Sequence, residues 1–567
     1  MKSVSVVALF SGLAAAAAQY GKAPANNSSL PIVDLGYELQ QASGFNDTGR
    51  YYNFSNIRFA APPVGDLRFA APQAPAKNRG AVQDGQQNRV CAQANPAWTA
   101  IASQFVPRYL AGQRQFNSSS FVTPPASIPA QAPGTTEDCL FLDVFIPEQV
   151  WQRRNNKGKK AAKAPVLVWL YGGGYTAGSK AGSGSPAGLL ERSQNNNGTG
   201  IIYVAPNYRL GAFGWLSGPT FQEEGGLANA GLYDQRFALE WVQKYIHLFG
   251  GDPDQVTVFG ESAGGGSIEH QITAFGGERG NVPFQRAVPQ SPGFSPLPSP
   301  SVQEEIYNSF LAAGNFTSLA AARSASFAQI QTANIITTGG AAYGGFTYGP
   351  VVDGIFAPAL PGQLLARGQF DQDVSILVGQ NANEGLLFTS PFIQTETDLR
   401  NAITTALPTI AAFPDQLNFI LNDLYPPVFD GSQAQGYRDN IARSAAITAE
   451  LAFICNTFYL DKAYGNNTYS YLFAVPPALH GQDVPYSYYT GEGAPTTSVI
   501  APNVALALQE YITSFAQDGN PNEPGVPFFN LYGDDAGVQV LNITGITEMR
   551  DPAANRRCNY WQKALYY

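Results

Sequence analysis

The stretch Thr257-Val258-Phe259-Gly260-Glu261-Ser262-Ala263-Gly264-Gly265-Gly266 constrains the fold of this chain more than any other segment. Val256–Phe259 reads as a buried strand that ends in Gly-x-Ser-x-Gly, and small residues from Ala263 to Thr273 open a helix. This is the layout of a nucleophile elbow. Glycines two residues before and after a serine permit a sharp strand-to-helix turn, which lifts the Ser262 hydroxyl out of the sheet edge and leaves the Ala263 N–H free at a helix N-terminus. The bare pattern is weak, because a chain with 58 glycines in 567 residues yields on the order of one such match by chance. The flanking strand and helix give it weight.

Three histidines narrow the search for a base. His247 ends the helix-like run Leu239–His247 before the elbow. His270 lies on the elbow helix itself, ~12 Å along the axis from Ser262 at 1.5 Å per residue, beyond reach of its hydroxyl. His480 remains, in the loop-like Pro476–Pro485 after the strand-like Tyr469–Phe473. In this arrangement the acid follows a strand between nucleophile and base. Ser375–Gly379 is such a strand and Asn381–Phe388 follows it, which makes Glu384 the candidate acid; Asp353, Asp371 and Asp373 stand before or at the start of that strand and read as turn or surface carboxylates. Upstream, the strand-like Ala164–Leu170 runs into Tyr171-Gly172-Gly173-Gly174-Tyr175. Residues without a Cβ let N–H groups point into a site, so Gly173 and Gly174 with Ala263 form a candidate three-donor oxyanion hole.

A longer series of motifs resembles the type-B carboxylesterases, the cholinesterase-like branch of the α/β-hydrolases, and in character its fungal secreted lipases and esterases. It comprises Ile57–Phe69, Glu137–Val144, Asn207–Gly211, Gly231–Gln235 and Phe249–Pro253, running into the elbow. The resemblance implies an α/β-hydrolase fold, a large mixed, mostly parallel sheet flanked by helices in one large domain. It carries the family's triad onto Ser262, Glu384 and His480, and its oxyanion hole onto Gly173, Gly174 and Ala263. Scaffold ion pairs are implied between Arg68 and Glu137 and between Arg209 and Asp234. Tyr171 departs from the histidine often found before the glycines, and Asn383 from the aspartate before the acid; neither position supplies a triad side chain. Four cysteines allow three pairings, of which the resemblance selects Cys91–Cys139 and Cys455–Cys558. In the fungal lipases the first of these closes a lid, here residues 92–138, where Trp98, Ile101 and Phe105 recur at helical spacing as an apolar stripe; a stripe docked permanently on the domain is the alternative.

Charged residues are 13% and hydrophobic ones 44% of the chain, ample for a core. A net charge of −9 argues against nucleic acid as a partner. Met1–Phe10 followed by Ala14–Ala18 has the positive start, apolar centre and small-residue end of a secretory signal cut near Ala18, leaving a domain over 19–567. Sequons at Asn26, Asn27, Asn46, Asn53, Asn117, Asn197, Asn315, Asn466 and Asn542 fit that route and an extracellular glycoprotein. No metal, nucleotide or flavin signature appears, so no cofactor is expected. The expected function is hydrolysis of a small-molecule or lipid carboxylic ester through an acyl-enzyme, with a transient lipid–water interface if the stripe is a lid. A tailoring esterase for one specialised metabolite and a non-catalytic binding protein on the same fold are the alternatives.

Overall fold

A computed structural model describes residues 30–122, 131–155, 163–195, 198–433, 436–491 and 498–566. The signal segment, Asn26, Asn27 and Asn197 lie outside the described residues.

Among the described residues, two sheets contain fourteen strands. Strands β1 (Ile32–Asp34), β2 (Glu38–Gln41) and β5 (Asn78–Gln83) form a small sheet. The large one has eleven strands in the order β14-β13-β12-β11-β10-β9-β7-β8-β6-β4-β3. Its members are β3 (Gly44–Asn46), β4 (Tyr51–Arg58), β6 (Phe141–Pro147), β7 (Ala164–Leu170), β8 (Ile202–Pro206), β9 (Gly251–Glu261), β10 (Arg286–Gln290), β11 (Ser375–Asn381), β12 (Tyr469–Phe473), β13 (Gly537–Asn542) and β14 (Gly545–Arg550). From β8 through β13 all pairs are parallel; β3, β4, β6 and β14 join antiparallel at the edges. Parallel strands are covered on both faces and therefore read as unbroken apolar runs. Every residue of Ala164–Leu170 and Ile202–Pro206 is buried.

Helices pack on this sheet, and those that bear on the site are α1 (Trp98–Leu110), α2 (Ala230–Tyr245), α3 (Ala263–Ile272), α4 (Asn440–Ala449), α5 (Cys455–Ala463) and α6 (Arg556–Trp561). The expected single α/β domain is the observed architecture: one hydrophobic core extends across the large sheet and its helices. Both expected disulfides are formed, Cys91–Cys139 and Cys455–Cys558.

The stripe on α1 is docked and not displayed. Phe105 and Val106 are fully buried against Leu386, Leu387, Ile441 and Leu479, with Ile101 packed at the margin. Trp98 faces a different neighbour set, tilted against Tyr343 and edge-on to Phe346, and its indole N–H donates to Gly345 O at 2.7 Å. Among the sequons, Asn117 and Asn315 are exposed, whereas Asn53 is buried on β4 at 7% exposure and offers no face to a glycan.

Both expected scaffold ion pairs are present and buried. Arg68 grips Glu137 with two N–H groups, and its remaining donors reach the carbonyls of Ala322, Arg323 and Ala325. Arg209 holds Asp234 of α2 through Nε and Nη2, each at 2.7 Å, and through its own backbone N–H at 3.1 Å. Asp234 has no exposure. Truncating one partner of such a pair leaves a charge with neither water nor counterion, which costs about 3–5 kcal/mol. Arg209→Met is therefore expected to lower the unfolding free energy by about that amount, read from urea denaturation; a change within ~0.5 kcal/mol would place the pair among surface-like interactions.

Candidate active site

Loops at the carboxyl ends of five neighbouring parallel strands supply every candidate residue. The glycine cluster follows β7, Ser262 follows β9, Ser291 follows β10, Glu384 follows β11 and His480 follows β12. Open α/β sheets bind ligands at this end of the strands.

The elbow is a steric necessity. Ser262 has φ 59° and ψ −122°, a conformation that costs a non-glycine residue of order 1–3 kcal/mol. A Cβ on Gly260 would stand 2.5 Å from Leu170 O, and one on Gly264 2.0 Å from the same atom. Only glycine at both positions lets β9 and α3 pass this close to β7. The turn is held from outside: Ser262 N–H donates to Gln290 O at 3.0 Å, and Ser262 O accepts from Gly293 N–H at 2.9 Å.

The glycine loop lies against the serine. A Cβ on Gly172 would be 2.9 Å from Ser262 Cβ, and Gly173 and Gly174 adopt φ 112° and 62°. A Cβ on Gly174 would collide with the Phe346 ring, 2.2 Å from two of its carbons. No carbonyl among the described residues accepts from the N–H groups of Gly173, Gly174 or Ala263. They are backbone donors left without a backbone acceptor in segments that lie against Ser262.

Glu384 and His480 meet through an isolated bridge between Asn383 and Leu479, the residues just before them, with Asn383 N–H donating to Ala478 O at 2.8 Å. Glu384 Oε2 lies 2.5 Å from His480 Nδ1. Its Oε1 accepts from Asn381 N–H at 2.5 Å and Ser291 Oγ–H at 2.7 Å. A carboxylate at Nδ1 selects the tautomer with the proton there and leaves Nε2 as the acceptor. His480 Nε2 has no hydrogen-bond partner and faces Glu261 Oε1 at 3.3 Å. A bond to Ser262 Oγ is thus not made in the free chain; such contacts commonly close only around substrate. The other histidines are placed elsewhere. His247 is exposed after α2, and His270 is buried on α3 with Nδ1 2.8 Å from Gly266 O; burial drives its pKa down to about 4.

Sequence reasoning missed the acidic surroundings of His480. Glu261 sits inside the Gly-x-Ser-x-Gly motif as an unspecified position, and Asp483 lies three residues beyond His480. Both are buried. Asp483 accepts from Tyr471 O–H at 2.7 Å and Asn381 Nδ2–H at 3.2 Å. Burial pushes the Glu261 carboxyl up to about 8, partly countered by His480. Burial disfavours charge on His480 too, but Glu261 and Glu384 outweigh it and raise the ring to about 9. Phe388 and Phe453 flank the ring, with centroids 5.1 and 4.3 Å from its own; single aromatic residues carry no motif that could have marked them. Among the described residues, the cluster of metal-type ligands is Glu450 with Cys455 and Cys558, and its two sulfurs are spent on each other.

The large mixed sheet flanked by helices is the α/β-hydrolase fold. The chain belongs to the carboxylesterase family, whose model matches residues 40–561, and it is a carboxylic ester hydrolase. It is 39% identical to "Carboxylesterase patB" of Penicillium expansum over 95% of this chain and 97% of that one. "Lipase 1" of Geotrichum candidum is 31% identical over 87% and 88%. Among solved structures, Aspergillus niger EstA superposes with a TM-score of 0.76 at 25% identity, covering 94% of this chain and 98% of its own.

With His480 as base, ester hydrolysis needs the neutral ring and falls as pH drops through its pKa. The neighbouring carboxylates raise that pKa, so the acid limb is expected above the ordinary imidazole value of about 6.5. Glu261 titrates in the same range as the ring and is coupled to it, so Glu261→Gln, which removes that carboxyl, should move the limb of kcat/KM toward lower pH, by up to about one unit. An unmoved limb would mean that Glu261 does not govern the ring.

Proposed function

We propose that the chain is a secreted serine carboxylesterase acting through an acyl-enzyme. Ser262 attacks the ester carbonyl, His480 takes its proton and returns it to the leaving alcohol, and Glu384 holds the ring and stabilises the imidazolium. Gly173, Gly174 and Ala263 bind the oxyanion through their N–H groups. Water then attacks the acyl-enzyme with His480 again as base, releasing the acid.

The observation that carries this reading is the Glu384–His480 contact at 2.5 Å beside a serine held at φ 59° against a glycine loop. Phe346 over Gly174, with Trp98 and Phe388 against it, crowds the oxyanion side with rings. Such a wall favours esters with compact acyl groups. Secretion is supported by the signal-like Met1–Ala18 and by the two disulfides, which persist in oxidising compartments. No helix among the described residues is long and apolar enough to cross a membrane. Of the described sequons, Asn117 and Asn315, both exposed, are the best placed for glycosylation.

A second reading, a lipase with a lid between Cys91 and Cys139, is favoured by the apolar face of α1 and by the likeness to "Lipase 1". Opening would expose Ile101, Phe105 and Val106 to lipid.

Ser262→Ala should fold and be secreted like the parent yet lose about 10³-fold or more in kcat on a soluble ester; retention of near-parental turnover would remove Ser262 from the mechanism. The two readings separate on a triglyceride dispersed through its solubility limit. The compact-ester reading expects ordinary saturation, with activity greatest on the shortest acyl chains. A jump in rate as droplets form, weakened by replacing Ile101 and Phe105 with serine, would select the lipase.

A further inference from the structure

Between α4 and α5 the chain makes one π-helical turn, Glu450–Ile454. A residue added to a helix rotates the following side chains by about 100° around its axis, and such turns cluster at functional sites. The turn carries Phe453, whose ring is the nearest aromatic neighbour of His480, at 4.3 Å between centroids and inclined by 44°. Phe388 closes the other flank and contacts Phe453 at 5.0 Å.

The turn is clamped at both ends to α6. At its start, Glu450 accepts from Arg557 Nε–H and Nη2–H, each at 2.8 Å, and from Tyr425 O–H at 2.5 Å. Just past its end, Cys455 is bonded to Cys558. The turn is also stitched to the elbow. Phe294 N–H donates to Ala452 O at 3.4 Å and Asn456 Nδ2–H to Pro292 O at 2.9 Å, while the intervening Gly293 donates to Ser262 O. A Cβ on Gly293 would be 2.4 Å from the Phe453 ring, so glycine is what lets the ring lie over the elbow strap.

We propose that this clamped turn positions the base: Phe453 fixes the His480 ring and offers its π-face to the imidazolium that forms during acylation, and Glu450 with Arg557 holds Phe453 in place. Phe453 and the Glu450–Arg557 pair are positioning residues that act through His480. The proposal rests on His480 as the base, and it assigns a catalytic consequence to an ion pair near the C-terminus that touches no reacting atom. A cation over an aromatic face is favoured, so the ring raises the pKa of His480. Leucine in its place keeps the site apolar but removes the π-face.

The test uses the full-length enzyme on a soluble short-chain ester, with active sites counted by a fluorophosphonate so that misfolded protein drops out of kcat. Phe453→Leu should lower kcat about tenfold, as for small misplacements of catalytic groups, with KM little changed. It should also shift the acid limb of kcat/KM about half a unit toward lower pH. The double variant Glu450→Gln/Arg557→Met, which removes the ion-pair end of the clamp without stranding a buried charge and leaves the cystine in place, should shift kcat and the limb the same way. Combined with Phe453→Leu it should add nothing, since both act through one ring. An unchanged kcat and limb in Phe453→Leu, a change confined to KM, or additive effects in the combined variant would each overturn the proposal. His480→Ala is measured alongside: if it keeps turnover, the base assignment itself fails, whereas an inactive His480→Ala beside a parental Phe453→Leu rejects only the positioning role.

Discussion

Everything at the site depends on how closely the backbone after β9 passes Leu170. With 2.0 to 2.5 Å between Leu170 O and the Cβ positions of Gly260 and Gly264, β7, β9 and α3 are nearly in backbone contact, and Ser262 is forced to an unfavourable φ with its side chain outward. That approach also brings the glycine loop after β7 against the serine. The glycine loop and Ser262 are thus fixed by one packing event, and strands such as β7 and β8, buried along their lengths, supply the stability that sustains the strained turn.

Much of this was legible in the sequence, for physical reasons. Strands such as Ala164–Leu170 declare themselves because burial on both faces demands an unbroken apolar run, and Gly260 and Gly264 because no other residue fits. Chain order, with elimination among three histidines, singled out Glu384 and His480, and the two side chains lie 2.5 Å apart. His270 is tied to Gly266 O along α3, and His247 lies exposed after α2. The disulfides and ion pairs came from resemblance and not from residue spacing, and they are formed as that resemblance implied.

What stayed hidden depends on long-range packing. Glu261 stood in plain view, but nothing in a linear motif says that its carboxyl turns toward His480 from a neighbouring loop. Asp483, Ser291 and Asn381 join it only when β10, β11 and β12 lie side by side. The helical spacing of Trp98, Ile101 and Phe105 correctly indicated α1, yet periodicity cannot say which surface a stripe meets; Trp98 joins one aromatic group and Phe105 another. The π turn that presents Phe453 is likewise invisible to a 3.6-residue period, because it is a local exception to that period.

The placement of the two cystines divides the molecule into a frame and its furnishings. Cys91, Cys139, Cys455 and Cys558 all lie outside the fourteen strands. One cystine tethers the segment bearing α1, which rests on Leu479 beside His480; the other anchors the π turn beneath Phe453. Neither cystine joins one strand of the sheet to another; both tie segments that pack beside His480. Such a division leaves the frame free to keep its geometry while the tethered walls diverge, so that substrate taste can drift within a lineage without the catalytic apparatus being rebuilt.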